Sequence, residues 1–162
     1  MAMTLLGQNF SGKYFYMNRI MSIDYGDKRV GIGLTDPLQI IASGYKTLEN
    51  NEQIIKNIYE VCIEKNVESI VVGLPFNENS GIGDAAKKVL IFADKLKDFF
   101  KSNNASIIFY EQDERYTTRD AYEIMKTNKV KRKNKKKIVD QIAAVRILED
   151  FMKNGNKKKL EF

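Results

Sequence analysis

The run Ser69-Ile70-Val71-Val72-Gly73 sets the tightest limit on what this chain can fold into. A short continuous apolar stretch, stopped at once by Leu74-Pro75, reads as a β-strand covered on both faces. Such a strand needs a layer above and a layer below. The flanking sequence offers both. Asn51–Asn66 has apolar residues at 54, 55, 58, 61 and 62. Asp84–Lys101 has Ala85, Ala86, Val89, Ala93, Leu96 and Phe100. Both spacings belong to helices with one apolar side. Ser106–Tyr110 repeats the buried-strand pattern.

Ahead of these lie Arg19–Tyr25 and Lys28–Thr35, two strand patterns joined by a short Gly-Asp turn, which is a hairpin signal. A third short strand is expected near Ser43–Leu48. Thr117 caps a short helix through Lys126, and a last helix is expected from about Lys136 to Met152. The order predicts an α/β fold, a mixed five-stranded sheet with helices on both faces. Residues 17–153 form a single domain in this reading. Residues 1–16 show neither alternation nor helical period and read as an N-terminal extension or an artificial leader. Residues 154–162 read as a basic, flexible tail.

Composition narrows the chemistry. The 162 residues contain no histidine, which excludes every histidine base and every zinc site that needs one. The one cysteine, Cys62, sits among Ile54, Ile55, Ile58 and Val61 at helical spacing and reads as core. A bound metal would therefore have oxygen ligands, which favours Mg²⁺ or Mn²⁺. No apolar run is long enough to span a membrane, and the N-terminus lacks the layout of a signal peptide, so a cytoplasmic location is expected. The net charge is +6, and residues 129–137 alone hold seven basic side chains. Taking those seven away leaves −1, so the basic character is local. A local basic run suits a phosphate backbone, although a lysine-rich solvated loop has the same composition.

Three acidic positions stand out. Asp24 ends the first strand, where a charge is costly unless something offsets it. Asp113 and Glu114 follow the last strand. Asp140 falls in the middle of the apolar arc of the final helix, between Ile147 and Phe151. Each has a plain alternative. Asp24 could make an Asx turn before Tyr25-Gly26, and Asp140 could simply pair with an arginine such as Arg29 or Arg115. Together, however, two strand-end acids and one from a helix on the sheet can converge at the carboxyl edge, where α/β sites gather. Carboxylates without histidine suit a hard divalent cation and phosphodiester hydrolysis. Alternation does not decide between Asp113 and Glu114, because the chain can turn after Tyr110.

Four blocks then resemble the YqgF/RuvX family, across about residues 18–152 and in the same order. They are D-Y-G-D-K-R-V-G-I-G-L-T-D-P at 24–37, I-V-V-G-L-P-F-N at 70–77 with G-x-x-A-x-x-V at 83–89, D-E-R-Y-T-T at 113–118, and V-D-Q-I-A-A-V-x-I-L at 139–148. That resemblance implies an RNase H-like fold, a divalent metal, and catalytic, metal-holding acids at Asp24, Glu114 and Asp140, with Asp113 as second choice. It also implies processing of the 5′ end of pre-16S rRNA in ribosome biogenesis. Two departures are visible: the family usually has leucine where Phe76 and Tyr116 stand, and 129–137 is richer in lysine.

The nucleic-acid contacts expected are Lys28, Arg29, Arg115, Lys131, Arg132, Lys133, Lys135, Lys136 and Lys137. Two other functions are weighed beside the rRNA nuclease: a resolvase cutting branched DNA, and a nucleic-acid binder without catalysis. A junction cutter needs a two-fold homodimer, whereas an rRNA nuclease can work as a monomer or a homodimer. A pure binder gains nothing from carboxylates at its site. An actin-like nucleotide site is set aside, because a second closing domain does not fit in this length. Gly31 and Gly33 have the simpler role of strand glycines that let a neighbouring backbone approach. The Gly-rich loop 77–83 lacks the P-loop pattern and reads as substrate-facing.

Overall fold

The structure is a computed structural model and describes residues 7–8, 14–15, 18–77, 79, 81–114 and 132–161. Strands β1 (Gly7–Gln8) and β2 (Tyr14–Phe15) pair antiparallel in a small sheet of their own. The main sheet is built from β3 (Arg19–Tyr25), β4 (Arg29–Thr35), β5 (Ala42–Glu49), β6 (Val67–Leu74), β7 (Ile108–Asp113) and β8 (Lys158–Lys159). Their spatial order is β5-β4-β3-β6-β7-β8. The β3-β4-β5 meander is antiparallel, β3-β6-β7 run parallel, and β8 closes the far edge antiparallel to β7. The helices are α1 (Ile54–Glu64), α2 (Asp84–Ser102) and α3 (Arg132–Lys153).

The predicted class holds, with six strands instead of five. The extra strand is β8, from residues expected to form a loose tail. Lys158 and Lys159 are both exposed, so no alternation announces them. The anchor is Leu160, which is only 6% exposed and donates its N–H to the Phe109 carbonyl at 2.9 Å.

The β6 run behaves as its composition demands. Every residue from Ser69 to Leu74 is buried. On one face Ile70 and Val72 join Met21, Ile23, Ile32, Ile58, Leu96 and Phe100 under α1 and α2. Cys62 belongs to this core, and its burial pushes the thiol well above the usual range. On the other face Ile20 and Val71 meet Ile147, Leu148 and Phe151 of α3. Each large apolar side chain buried this way contributes about 1.5–3 kcal/mol. Helix α1 stops where Asn66 takes a left-handed conformation (φ 53°), and its carbonyl accepts the N–H of Arg19 at 2.9 Å. Asparagine tolerates that geometry better than most residues.

Helix α3 starts at Arg132, earlier than the expected Lys136, so most of the basic run is helical. Lysine is a good helix former, but residues 132–137 include no apolar side chain and so leave no period to detect. The expected helix from Thr117 to Lys126 lies outside the described residues. Among the described residues no helix is long and apolar enough to cross a membrane.

Candidate active site

The face of the sheet under α3 is unusually bare. In β4, Gly31 and Gly33 point to it, and in β6 so does Gly73. A Cβ on Gly31 would lie 2.2 Å from the backbone oxygen of Asp140. A Cβ on Gly33 would lie 2.5 Å from Ser22 Oγ and 3.2 Å from the Ala144 oxygen. Glycine here allows the helix backbone to sit almost on the strands. Ser22 ties the layers further, donating its hydroxyl to the Ala144 carbonyl at 2.5 Å. The role expected for Gly31 and Gly33, letting a backbone approach, is the one they play.

This close packing brings the acids together. In β3, Ile23 faces the α1/α2 core, so Asp24 faces α3 and lies in register with Gly31. Glu114 directly follows β7 and keeps the strand's course, donating its N–H to the Leu74 carbonyl at 3.0 Å. Its carboxyl packs over Gly73: a Cβ there would lie 1.9 Å from Glu114 Oε1 and 2.6 Å from Ile147 Cδ1. Asp140 enters from above on α3.

Asp24 and Glu114 share a hydrogen bond, with Glu114 as the donor. Burial pushes the Asp24 carboxyl up to about 6, the charge of Asp140 adds to that, and the bond from Glu114 partly offsets it. Burial pushes Glu114 to about 8, helped by the charge of Asp24, the shared bond and Asp113. Burial and mutual repulsion thus favour one proton between the two carboxyl groups near neutral pH. Asp140 is 18% exposed and accepts a charge-assisted hydrogen bond from Arg29 Nε at 2.7 Å.

The donor set suits a hard cation. Asp24 and Glu114 supply carboxylate oxygens, and Glu114 Oε1 is buried and accepts no hydrogen bond from the described residues. Asp140 is the third donor, drawn toward Arg29. Among the described residues, no three acidic or sulfur side chains form a closed cluster around one point. The arrangement is a tight pair with a third carboxylate at its margin.

Basic side chains border the acids. Lys28, Arg29 and Lys137 line one cleft of about 510 Å³, joined there by Asn50 and Asn51. The Lys137 carbonyl accepts the hydroxyl of Thr47 at 2.8 Å, which fastens the start of α3 to β5. Lys135 and Lys136 are exposed on the turn of α3 before Asp140. Lys136 and Asp140 are four residues apart and so lie on one side of the helix. For Arg132 and Lys133 the structure describes only the backbone, and Arg115 and Lys131 lie outside the described residues. Asp27 and Glu49 line the same cleft, and Asp27 is held in an ion pair with Lys88 of α2 at 3.0 Å.

A family model described as RuvX, Holliday junction resolvase, matches residues 18–154. The chain belongs to this family. A Clostridium tetani protein named "Putative pre-16S rRNA nuclease" is 40% identical over 136 residues, covering 83% of this chain and 95% of that one. The protein of the same name from Clostridium acetobutylicum is 39% identical over 136 residues, covering 83% and 97%. Among solved structures, Thermus thermophilus RuvC in complex with a Holliday junction substrate superposes with a TM-score of 0.55 at 15% identity, covering 88% of this chain and 99% of that one. A second RuvC structure from the same organism gives 0.54 at 14% identity, with the same coverage. The likeness supports an RNase H-like fold, as the sequence blocks implied.

Within this RuvX-family chain the structure brings together Asp24, Glu114, Asp140, Arg29, Lys28 and Lys137. It places Asp113 inside β7, paired with Leu74, one residue short of the carboxyl pair. Gly73 escaped the sequence reading. Its signal was a glycine in a strand pattern, as at Gly31, here two residues from Val71, which packs against α3.

Proposed function

We propose that this protein is a divalent-metal-dependent endonuclease that hydrolyses phosphodiester bonds, processing the 5′ end of pre-16S rRNA in the cytoplasm. The observation that carries the reading is the buried, proton-sharing pair Asp24–Glu114 with Asp140 beside it, bordered by lysines. Two carboxyl groups kept together at the cost of charge repulsion and lost solvation make sense as cation ligands. The substrate is suggested by the names of the curated relatives.

Asp24, Glu114 and Asp140 would hold Mg²⁺ or Mn²⁺. When bound, such an ion supplies Lewis-acid activation of water and charge stabilisation at the leaving oxygen. The chain's own residues do the rest. Asp24 and Glu114 release their shared proton and present oxygens from fixed strand ends. The α3 backbone, seated on Gly31, sets the height of Asp140. Lys28, Lys135, Lys136 and Lys137 hold the phosphate backbone across the site, and Arg115, Lys131, Arg132 and Lys133 are further phosphate contacts in this proposal. These contacts are sequence-independent and salt-sensitive.

The test is an incubation with Mn²⁺ or Mg²⁺ and two end-labelled substrates, a pre-16S 5′-end RNA and a four-way DNA junction, with Asp24→Asn in parallel. Metal-dependent RNA cleavage that disappears in the variant is the expected result. Symmetric paired cuts in the junction alone would reassign the protein as a resolvase. Binding of either substrate without cleavage, unchanged in the variant, would make it a binder and end the nuclease reading.

A further inference from the structure

We propose that Arg29 is an exchangeable counter-ion of Asp140: the divalent cation displaces it, and the released guanidinium turns to a substrate phosphate. The inference rests on the metal-dependent reading above and adds to it a coupling between metal and nucleic-acid binding.

Arg29 Nε lies 2.7 Å from Asp140 Oδ2. The base of the side chain is fixed, because the Arg29 carbonyl closes the hairpin corner by accepting the Gly26 N–H at 2.9 Å. Arg29 stands two residues from Gly31 in β4 and therefore faces the same side of the sheet, toward α3 and Asp24. A cation held by Asp24, Glu114 and Asp140 would share a carboxylate with a guanidinium. The two positive groups then repel each other across a single carboxylate whose side chain is only 18% exposed, where water screens them poorly.

Arg29 has somewhere to go. Its side chain is 30% exposed and lines the cleft that also holds Lys28 and Lys137, with Asp27, already paired to Lys88, and Glu49 at its wall. A guanidinium freed from Asp140 would meet phosphate there, where its planar fork fits better than any lysine. Linkage then makes the coupling mutual: metal loading favours phosphate binding, and phosphate favours metal loading. Arg29 acts on metal affinity through Asp140 and is, for that step, a positioning residue.

The experiment titrates full-length wild type and Arg29→Gln with Mn²⁺, following free Mn²⁺ by electron paramagnetic resonance. A fluorescent single-stranded RNA oligonucleotide is titrated separately in Ca²⁺. Glutamine keeps a donor near Asp140 and removes the charge. The expected result has opposite signs: Mn²⁺ binds about tenfold tighter and the oligonucleotide about tenfold weaker. A residue that merely braces the fold would weaken both. Mn²⁺ affinity unchanged or reduced in Arg29→Gln, with wild-type binding intact, overturns the exchange. Absence of Mn²⁺ binding by the wild type overturns the metal reading and the exchange with it.

A second measurement needs no variant. In arginine-labelled wild type, the Arg29 Nε–H resonance, protected by its bond to Asp140, should lose that protection on saturation with Mg²⁺. A resonance that keeps its position and protection, while the amides of Asp24 and Glu114 shift, also overturns the exchange.

Discussion

Replacing Gly31 with alanine should cost both stability and activity, for one geometric reason. The added Cβ would sit 2.2 Å from the Asp140 backbone oxygen and 2.7 Å from its carbonyl carbon, whereas real Cβ contacts rarely fall below 3.0–3.4 Å. The obstacle is helix backbone, which cannot rotate aside, so α3 must retreat by about 1 Å. Overpacking of this kind costs about 1–3 kcal/mol, and a rigid obstacle puts Gly31→Ala at the upper end. Alanine recovers about 0.5–1 kcal/mol of backbone entropy, which leaves a net loss of about 2 kcal/mol and a Tm lower by about 4–8 °C. The same retreat lifts Asp140 off Asp24, and a 1 Å misplacement of a catalytic group can cost about a hundredfold in rate. Urea unfolding and single-turnover cleavage of an end-labelled substrate read the two effects. Gly73→Ala is the contrast: its Cβ meets the ends of Glu114 and Ile147, which can swing, so stability falls by only about 1 kcal/mol while cleavage still suffers. Wild-type stability and rate in Gly31→Ala would refute the close seating of α3.

The carboxyl pair makes a pH prediction of definite sign. Asp24 and Glu114 titrate higher in the folded protein than in the unfolded chain, so the folded state holds the extra proton between about pH 4 and 8. In EDTA the wild type should therefore lose stability as pH rises through that window, and Asp24→Asn should flatten the decline and be the more stable protein at pH 8. Mn²⁺ competes with the shared proton, so its affinity should rise from pH 6 to pH 8, measured by calorimetry. Changing Lys135, Lys136 and Lys137 together to glutamine should weaken nucleic-acid binding and lower the salt slope by up to about 0.7–0.9 per lost phosphate contact, read by anisotropy across a salt series. Leu160→Ala should destabilise the domain by about 2–3 kcal/mol in urea melts, since Leu160 is a core residue.

What could be read in advance, and what could not, follows from the range of the interactions. The β6 strand and the apolar arc of α3 are local patterns, so Ser69–Gly73 and the inward placement of Asp140 were legible. The ion pair of Arg29 with Asp140 was visible as an option because a charge in an apolar arc requires a partner. Its coexistence with the Asp24–Glu114 pair was not, since it depends on how closely α3 approaches the sheet. The order of Asp113 and Glu114 turned on the course of the chain after Tyr110. In the structure β7 runs straight through Asp113, so Glu114 reaches the α3 face. Strand β8 had no signal of its own, as two exposed lysines take their conformation from the edge of β7.

The most direct test of the account is single-turnover cleavage in Mn²⁺ by Glu114→Gln and Asp113→Asn, side by side with wild type. If the Asp24–Glu114 pair with Asp140 is the reaction centre, Glu114→Gln loses about a hundredfold or more in rate, while Asp113→Asn stays within about tenfold of wild type. The reverse order, or cleavage by Glu114→Gln at the wild-type rate, would contradict it.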